Sequence, residues 1–285
     1  MSLLFGLFTA IGFGAGDFFG GLASKKSPAM SVSFYSQFTA AVLIGMMALF
    51  LGGTPDLNGI FWGFAAGIAV GLGIIKYYRA LSNGLMGLTA TVMGVFSALV
   101  PFAAGVMIGE RPSWVATAGV LIVIGALVLV TNRKDEAGNS TSTHRNPYYD
   151  KTGLYDGIIA GICFGFSFVF VGLATTVNPL WPVFATATGS LAPILAVQLE
   201  KSGAWPAIGS SWKITVLAGI SQGLGFIAFG LAVLDGLISI VSVAGALSPI
   251  PTALIALAVL GERLSRRQLG GVAVALIGVL FLVTG

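Results

Sequence analysis

Apolar residues come along this chain in long blocks separated by short polar joints. The blocks lie at roughly 3–23, 31–51, 59–82, 85–109, 113–131, 154–175, 181–199, 212–234, 236–260 and 267–284, each close to the twenty residues a helix needs to cross a hydrocarbon core. The pattern predicts an all-α polytopic membrane protein of ten transmembrane helices. The joints carry the helix breakers: "SKKSPAM", "GGTPDLN", "GERPS", "TVNPLWP", "KSGAWPAIGSS" and "GERLSRR". One connection is longer, residues 132–153, "NRKDEAGNSTSTHRNPYYDKTG", and its polar composition reads as a linker between two halves. The expected division is a first five-helix repeat over 1–131, a linker over 132–153 and a second five-helix repeat over 154–285.

The two halves repeat one another. "GLGIIKYYRALSNGL" (71–85) aligns without gaps to "GLGFIAFGLAVLDGL" (223–237) at an offset of 152, and the register continues into "IGERPS" and "LGERLS", with Glu110 opposite Glu262. "GGLASKKSP" (20–28) pairs with "VGLATTVNP" (171–179), and Gly125 pairs with Gly278 after a one-residue slip. Five spans per half is an odd number, so the second half is expected upside down relative to the first, about a pseudo-two-fold axis in the membrane plane. Two halves of similar packing and opposite orientation can exchange conformations and open a central site to each face in turn. The plainer alternative is that the repeat records a gene duplication and builds only a stable bundle.

Composition changes the picture little and excludes much. Charged residues are 8%, hydrophobic residues 56%, and mean hydropathy is +0.97, values that belong to a chain solvated by lipid. One cysteine (Cys163) and one histidine (His144) exclude a disulfide framework and an all-protein zinc site, and no cofactor is expected. The net charge of +4 does not point to nucleic acid, because the basic residues are scattered through short joints. They obey a side rule instead. The odd-numbered joints hold Lys25, Lys26, Arg133, Lys134, Arg145, Lys151, Lys201, Lys213, Arg263, Arg266 and Arg267, whereas the other face holds Arg111 alone. The odd joints and the 132–153 linker are therefore expected in the cytoplasm and both termini outside, in a bacterial cytoplasmic membrane. The first block lacks a basic stretch before it, so it reads as a retained span and not as a cleaved leader.

Ten spans in two halves, "GERP" and "GERL" ending spans 4 and 9, and glycine-bearing fifth and tenth spans together resemble the drug/metabolite transporter superfamily, EamA type. The resemblance covers nearly the whole chain. It implies a monomeric or weakly dimeric exporter or facilitator of small metabolites, often amino acids, with a central cavity framed by spans 1, 3, 4, 6, 8 and 9.

Several intramembrane residues are candidates for that cavity. Lys76 lies about six residues before the end of span 3, roughly 9 Å below the boundary at 1.5 Å per residue, and Asp17 stands equally far from the end of span 1. Gln37 reaches the same level from span 2. A polar layer is expected there, with Asp17 and Lys76 as its charged pair, since an unpaired charge in the bilayer costs about 2.5–3.5 kcal/mol. The second half has Phe168 opposite Asp17, Ala228 opposite Lys76 and Leu231 opposite Arg79, an asymmetry that favours substrate contact over scaffolding. The alternative is that Lys76 and Arg79 snorkel to the interface beside Tyr77 and Tyr78, with Asp17 a structural partner. Tyr78, Arg79 and the midplane amide Gln222 complete the substrate-binding set. An amphipathic zwitterion such as an amino acid would fit Asp17 and Lys76 together.

Pro101 in span 4 and Pro249 with Pro251 in span 9 remove backbone donors at nearly matching levels and are expected to act as hinges. Glu110 and Glu262 are expected to serve orientation and packing, or a gating salt bridge. Gly12, Gly16 and Gly20, and Gly63, Gly67 and Gly71, recur every fourth residue as close-packing stripes. Phe13, Phe18, Phe19, Phe34, Phe38, Phe164, Phe166 and Phe168 either line a cavity or face lipid. No phosphate-binding loop and no nucleophile with a base in register is apparent, so a secondary transporter, not an enzyme, is the expectation. A multidrug or cation exporter of the same fold, or a non-transport assembly or sensory subunit, stands as the alternative. The expected partners are a small-molecule substrate and the bilayer.

Overall fold

A computed structural model describes residues 1–82, 86–131, 147–175, 178–200, 208–260 and 266–284. Among the described residues all regular structure is helical. The first half holds α1 (Ser2–Ser24), α2 (Ala29–Leu51), α3 (Leu57–Ser82), α4 (Met86–Ile108) and α5 (Trp114–Thr131). The second holds α6 (Pro147–Ala174), α7 (Leu180–Gly189), α8 (Leu191–Glu200), α9 (Trp212–Asp235), α10 (Ile238–Gly245), α11 (Pro249–Leu260) and α12 (Arg266–Thr284). Among the described residues, seven stretches are long and apolar enough to cross a membrane, with α7 and α8 counted together and α10 and α11 likewise. Three shorter apolar helices, Val92–Ile108, Trp114–Leu127 and Gly270–Leu282, occupy the other three expected positions.

Three spans depart from the sequence pattern. α6 begins at Pro147, inside the stretch expected as linker, and proline suits the first turn of a helix; residues 132–146 lie outside the described residues. The seventh and ninth spans are each interrupted. α7 stops at Gly189 and α8 resumes at Leu191, while α10 stops at Gly245 and α11 starts at Pro249 after the turn 246–248. In the latter, Pro249 and Pro251 bring no backbone N–H to close on the turn above.

The halves are interleaved, not side by side. The most extensive pairing is α1 with α9, followed by α3 with α6, α5 with α12, α4 with α6, α3 with α7 and α2 with α9. Exchanging each first-half helix for its repeat mate turns α1·α9 into α6·α3 and α2·α9 into α7·α3, and leaves α5·α12 unchanged. Two repeats related by a two-fold axis produce this pattern.

Glycine makes the two cross-repeat seams possible. On α1, a methyl added at Gly12 would lie 2.6 Å from the Gly225 Cα; one at Gly16 would occupy the Gln222 side chain, and one at Gly20 the Tyr78 ring. On α3, methyls at Gly63, Gly67 and Gly71 would run into the carbonyl oxygens of Pro182, Thr186 and Ser190 on α7 and its break. Both glycine stripes expected from the sequence are thus helix contact lines, and van der Waals packing along them holds the bundle where lipid offers no hydrophobic drive between helices. Large apolar side chains such as Leu49, Phe50, Phe61, Met107 and Trp114 point outward, as lipid requires.

Gly67→Val is expected to destabilise the protein by about 1–3 kcal/mol through overpacking, whereas Gly125→Ala, with nothing within 4 Å of the new methyl, gains up to about 1 kcal/mol of helix propensity. Thermal unfolding of the two variants in one detergent separates the effects.

Candidate functional site

The seams leave a space between the halves. A partly open cavity is lined by residues of α1, α2, α3, α4, α6, α9 and the end of α10 with its following turn. Phe13, Phe164, Phe168 and Phe226 supply much of its apolar wall, and Asp17, Gln37, Ser97, Ser167, Gln222 and Ser248 its polar points. Such a mainly apolar concavity with a few convergent polar groups is the usual form of a small-molecule site.

One side of the wall is a hydrogen-bonded chain across four elements. The Ser190 Oγ at the α7–α8 break lies 3.1 Å from Gln37 Oε1; Gln37 Nε2 donates to Gln222 Oε1 at 2.6 Å; Gln222 Nε2 donates to Tyr78 Oη at 2.8 Å. Gln37 and Tyr78 are fully buried. Polar groups in a medium without water need such partners, and a chain of them fixes the relative rotation of α2, α3 and α9. The other charged point is Asp17 on α1, 9% exposed, whose Oδ2 accepts from Ser248 Oγ at 3.4 Å and which Tyr77 also reaches. Ser248 belongs to the turn between α10 and α11, so Asp17 ties the first repeat to the interrupted span of the second.

Lys76 and Arg79 do not join this site. Three residues apart, they share one face of α3, and that face is turned to α6, where both meet Asp156. Arg79 Nη2 lies 2.6 and 2.8 Å from its two carboxylate oxygens and Arg79 Nε 3.2 Å away, while Lys76 Nζ stands 3.6 Å off. The expected Asp17–Lys76 pair is therefore not formed. Tyr77 reaches Asp17 and Tyr78 bonds to Gln222, so helical geometry points these two residues, not Lys76, toward α1 and α9. The Asp156 side chain is 7% exposed, against 37% for Lys76 and 50% for Arg79.

The structure gathers Asp17, Gln37 and Gln222 at the cavity and Tyr78 in the wall behind it. Of the prolines, Pro101 sits within a continuous α4, whereas Pro249 opens α11 and Pro251 packs beside Gly14 of α1. Glu110 is a helix cap: its carboxylate accepts from the Ile238 N–H at 2.6 Å and the Ser239 N–H at 2.9 Å, at the start of α10. A carboxylate satisfies both the free amides and the positive end of the helix dipole there. Glu262 lies outside the described residues. Among the aromatic candidates, Phe13, Phe164 and Phe168 line the cavity, while Phe38 and Phe166 are about half exposed, as lipid-facing rings would be. Sequence reasoning passed over Asp156, Ser190 and Phe226. Asp156 was within its reach, since the depth count that aligned Asp17 with Lys76 also places a carboxylate two residues inside span 6 near Arg79.

The profile of the EamA-like transporter family matches residues 1–132 and again residues 151–284. The chain belongs to that family. A crystal structure described only as that of a protein superposes on this chain with a TM-score of 0.72 at 18% identity, covering 97% of this chain and 98% of its own, a likeness of fold. No curated protein matches the sequence. As an EamA-like protein with two family repeats and multiple apolar helices, it is a multi-pass membrane protein of a family that moves small solutes, and its cavity sits between the two matched halves.

Gln222→Leu leaves Gln37 and Tyr78 without their shared partner and is expected to cost about 1–3 kcal/mol, while Asp156→Asn, acting on half-exposed cations, costs about 1 kcal/mol or less. Thermal melts of both variants rank them. Glu110→Ala is expected to raise hydrogen exchange at Ile238 and Ser239 relative to the amides of α9, for a loss of about 1 kcal/mol.

Proposed function

We propose that this protein is a secondary transporter that moves small amphipathic organic solutes out of a bacterial cell across the cytoplasmic membrane by alternating access. The observation that carries the reading is the position of the cavity: it lies on the seam of the two repeats and is lined by repeat mates, Asp17 on α1 and Phe168 on α6 among them. A site on the pseudo-symmetry axis is the one place that rocking of the halves exposes to either face.

The interrupted ninth span supports the same reading. Its turn carries Ser248 to Asp17, so movement of α10 against α11 about Pro249 and Pro251 changes the cavity directly. Pro101 is the lesser hinge, its helix being continuous. With the odd joints in the cytoplasm and both termini outside, the Lys76–Asp156–Arg79 cluster stands at the inner end of the α3–α6 seam and the Glu110 cap at the outer end of α10. The cap then acts as an outer fastening, and Glu262 as its repeat counterpart in sequence. The working unit, a monomer or a weak homodimer, rests on the same resemblance as the solute range. Export and the range of solutes, amino acids and related amphipathic compounds, rest on the resemblance to metabolite exporters.

The test is flux of a labelled panel of amino acids and small amines from proteoliposomes, with Ser167→Trp as a variant that fills the cavity. Saturable efflux by the wild type and at least a tenfold loss in the folded Ser167→Trp variant are expected. Equal flux in both would move the pathway elsewhere, and no wild-type flux for any solute would remove the transport reading.

A further inference from the structure

A census of donors and acceptors around the cavity narrows the solute. The lining residues carry one carboxylate, Asp17, and no lysine, arginine or histidine is among them. The two cations of α3, Lys76 and Arg79, are held on the far side by Asp156. The hydroxyl protons of the lining are directed elsewhere as well. Ser97 Oγ donates to the Gly94 carbonyl at 3.0 Å and Ser167 Oγ to the Phe164 carbonyl at 2.7 Å, each back onto its own helix. Ser248 Oγ donates to Asp17, which Tyr77 also reaches, and one N–H of each of the Gln37 and Gln222 amides donates along the wall, to Gln222 Oε1 and Tyr78 Oη. What these side chains present to a guest is therefore mainly lone pairs: the Asp17 carboxylate and hydroxyl oxygens that have given their protons away.

We infer, on the transport reading above, that the cavity selects a protonated primary amine with an apolar body of about one aromatic ring, and discriminates against the same body carrying a free carboxylate. An ammonium brings three N–H donors and one positive charge to a site with acceptors and one negative charge, so a charge-assisted hydrogen bond to Asp17 replaces its lost hydration. The rings around it suit both parts of the guest. Phe13 packs edge-on to Phe226 at 4.9 Å and tilted to Phe168 at 5.9 Å between centroids, close to the acidic end of the cavity. Their faces attract a cation, and their apolar area covers a hydrocarbon body. A carboxylate on the guest would be desolvated in the same space, near Asp17, with no cation among the lining residues to pair it.

Calorimetric binding to the full-length protein in nanodiscs tests this with four probes sharing one body: 2-phenylethylamine, phenylalaninamide, phenylalanine and 3-phenylpropionate. The expected result is that the amine and the amide bind at least tenfold tighter than phenylalanine, that phenylpropionate does not compete, and that Asp17→Asn removes the preference while Asp156→Asn keeps it. Phenylalanine binding as tightly as its amide would overturn the selectivity and leave transport standing. An amine that binds equally well to wild type and folded Asp17→Asn would overturn the assignment of its ammonium to Asp17. Absence of binding by all four probes would overturn the inference as well, with the efflux panel deciding the transport reading separately. The wild-type comparison needs no variant, so misfolding of Asp17→Asn does not protect the inference.

Discussion

Inside a hydrocarbon core no water is available to satisfy a polar side chain, and the arrangement of this protein follows from that constraint. The charged and amide side chains named above find their partners across helix seams. Arg79 and Lys76 converge on Asp156 between α3 and α6, and Gln37, Gln222, Tyr78 and Ser190 form one chain through α2, α3, α9 and the α7–α8 break. Glu110 closes the start of α10. Once these pairs are made, Asp17 is the carboxylate left facing the cavity, against a serine in an interrupted span. The site's character is set by what the scaffold has already used.

Close approach of backbones is the second requirement, and it determines which helices can be cross-braced. A seam as tight as Gly12 on Gly225, or Gly67 on Thr186 and Gly189, brings side chains from adjacent turns within hydrogen-bond reach of the opposite repeat. Gly16 and Gly20 show the link directly: the room left by their missing side chains is taken by Gln222 and Tyr78, the two residues that bond to each other. Packing and polar pairing are here one feature. Both seams join a helix of the first half to a helix of the second, so the strongest contacts in the molecule lie across the relation that alternating access would use. The interrupted spans, α7–α8 and α10–α11, are the places where helices of this tightly joined bundle break.

Much of this was legible in residue order. Block length and composition indicated a helical membrane protein, the offset of 152 exposed the repeat, and fourfold glycine spacing marked both seams. Depth counting along spans brought Asp17, Gln37 and the 76–79 segment to one level, and the structure does place Tyr77 against Asp17 there. The azimuth of each side chain was not legible. A count of residues along an axis gives height, but each step along α3 turns the side chain by about 100°, so Lys76 and Tyr78, two steps apart, point about 200° apart, enough to send Lys76 to α6 and Tyr78 to α9.

The sequence by itself determined the solvent, the element type, the duplication and the glycine contact lines, because those depend on composition and on spacing within single helices. Which carboxylate meets which cation, and which acid remains for a guest, was decided only by the tertiary structure. Asp156 is near Arg79 because α6 of the second repeat packs beside α3 of the first, a proximity between residues 77 positions apart. Gln37 and Gln222, 185 positions apart, meet for the same reason. Pairing across repeats depends on how helices are rotated about their own axes, and that rotation is a property of the packed bundle as a whole.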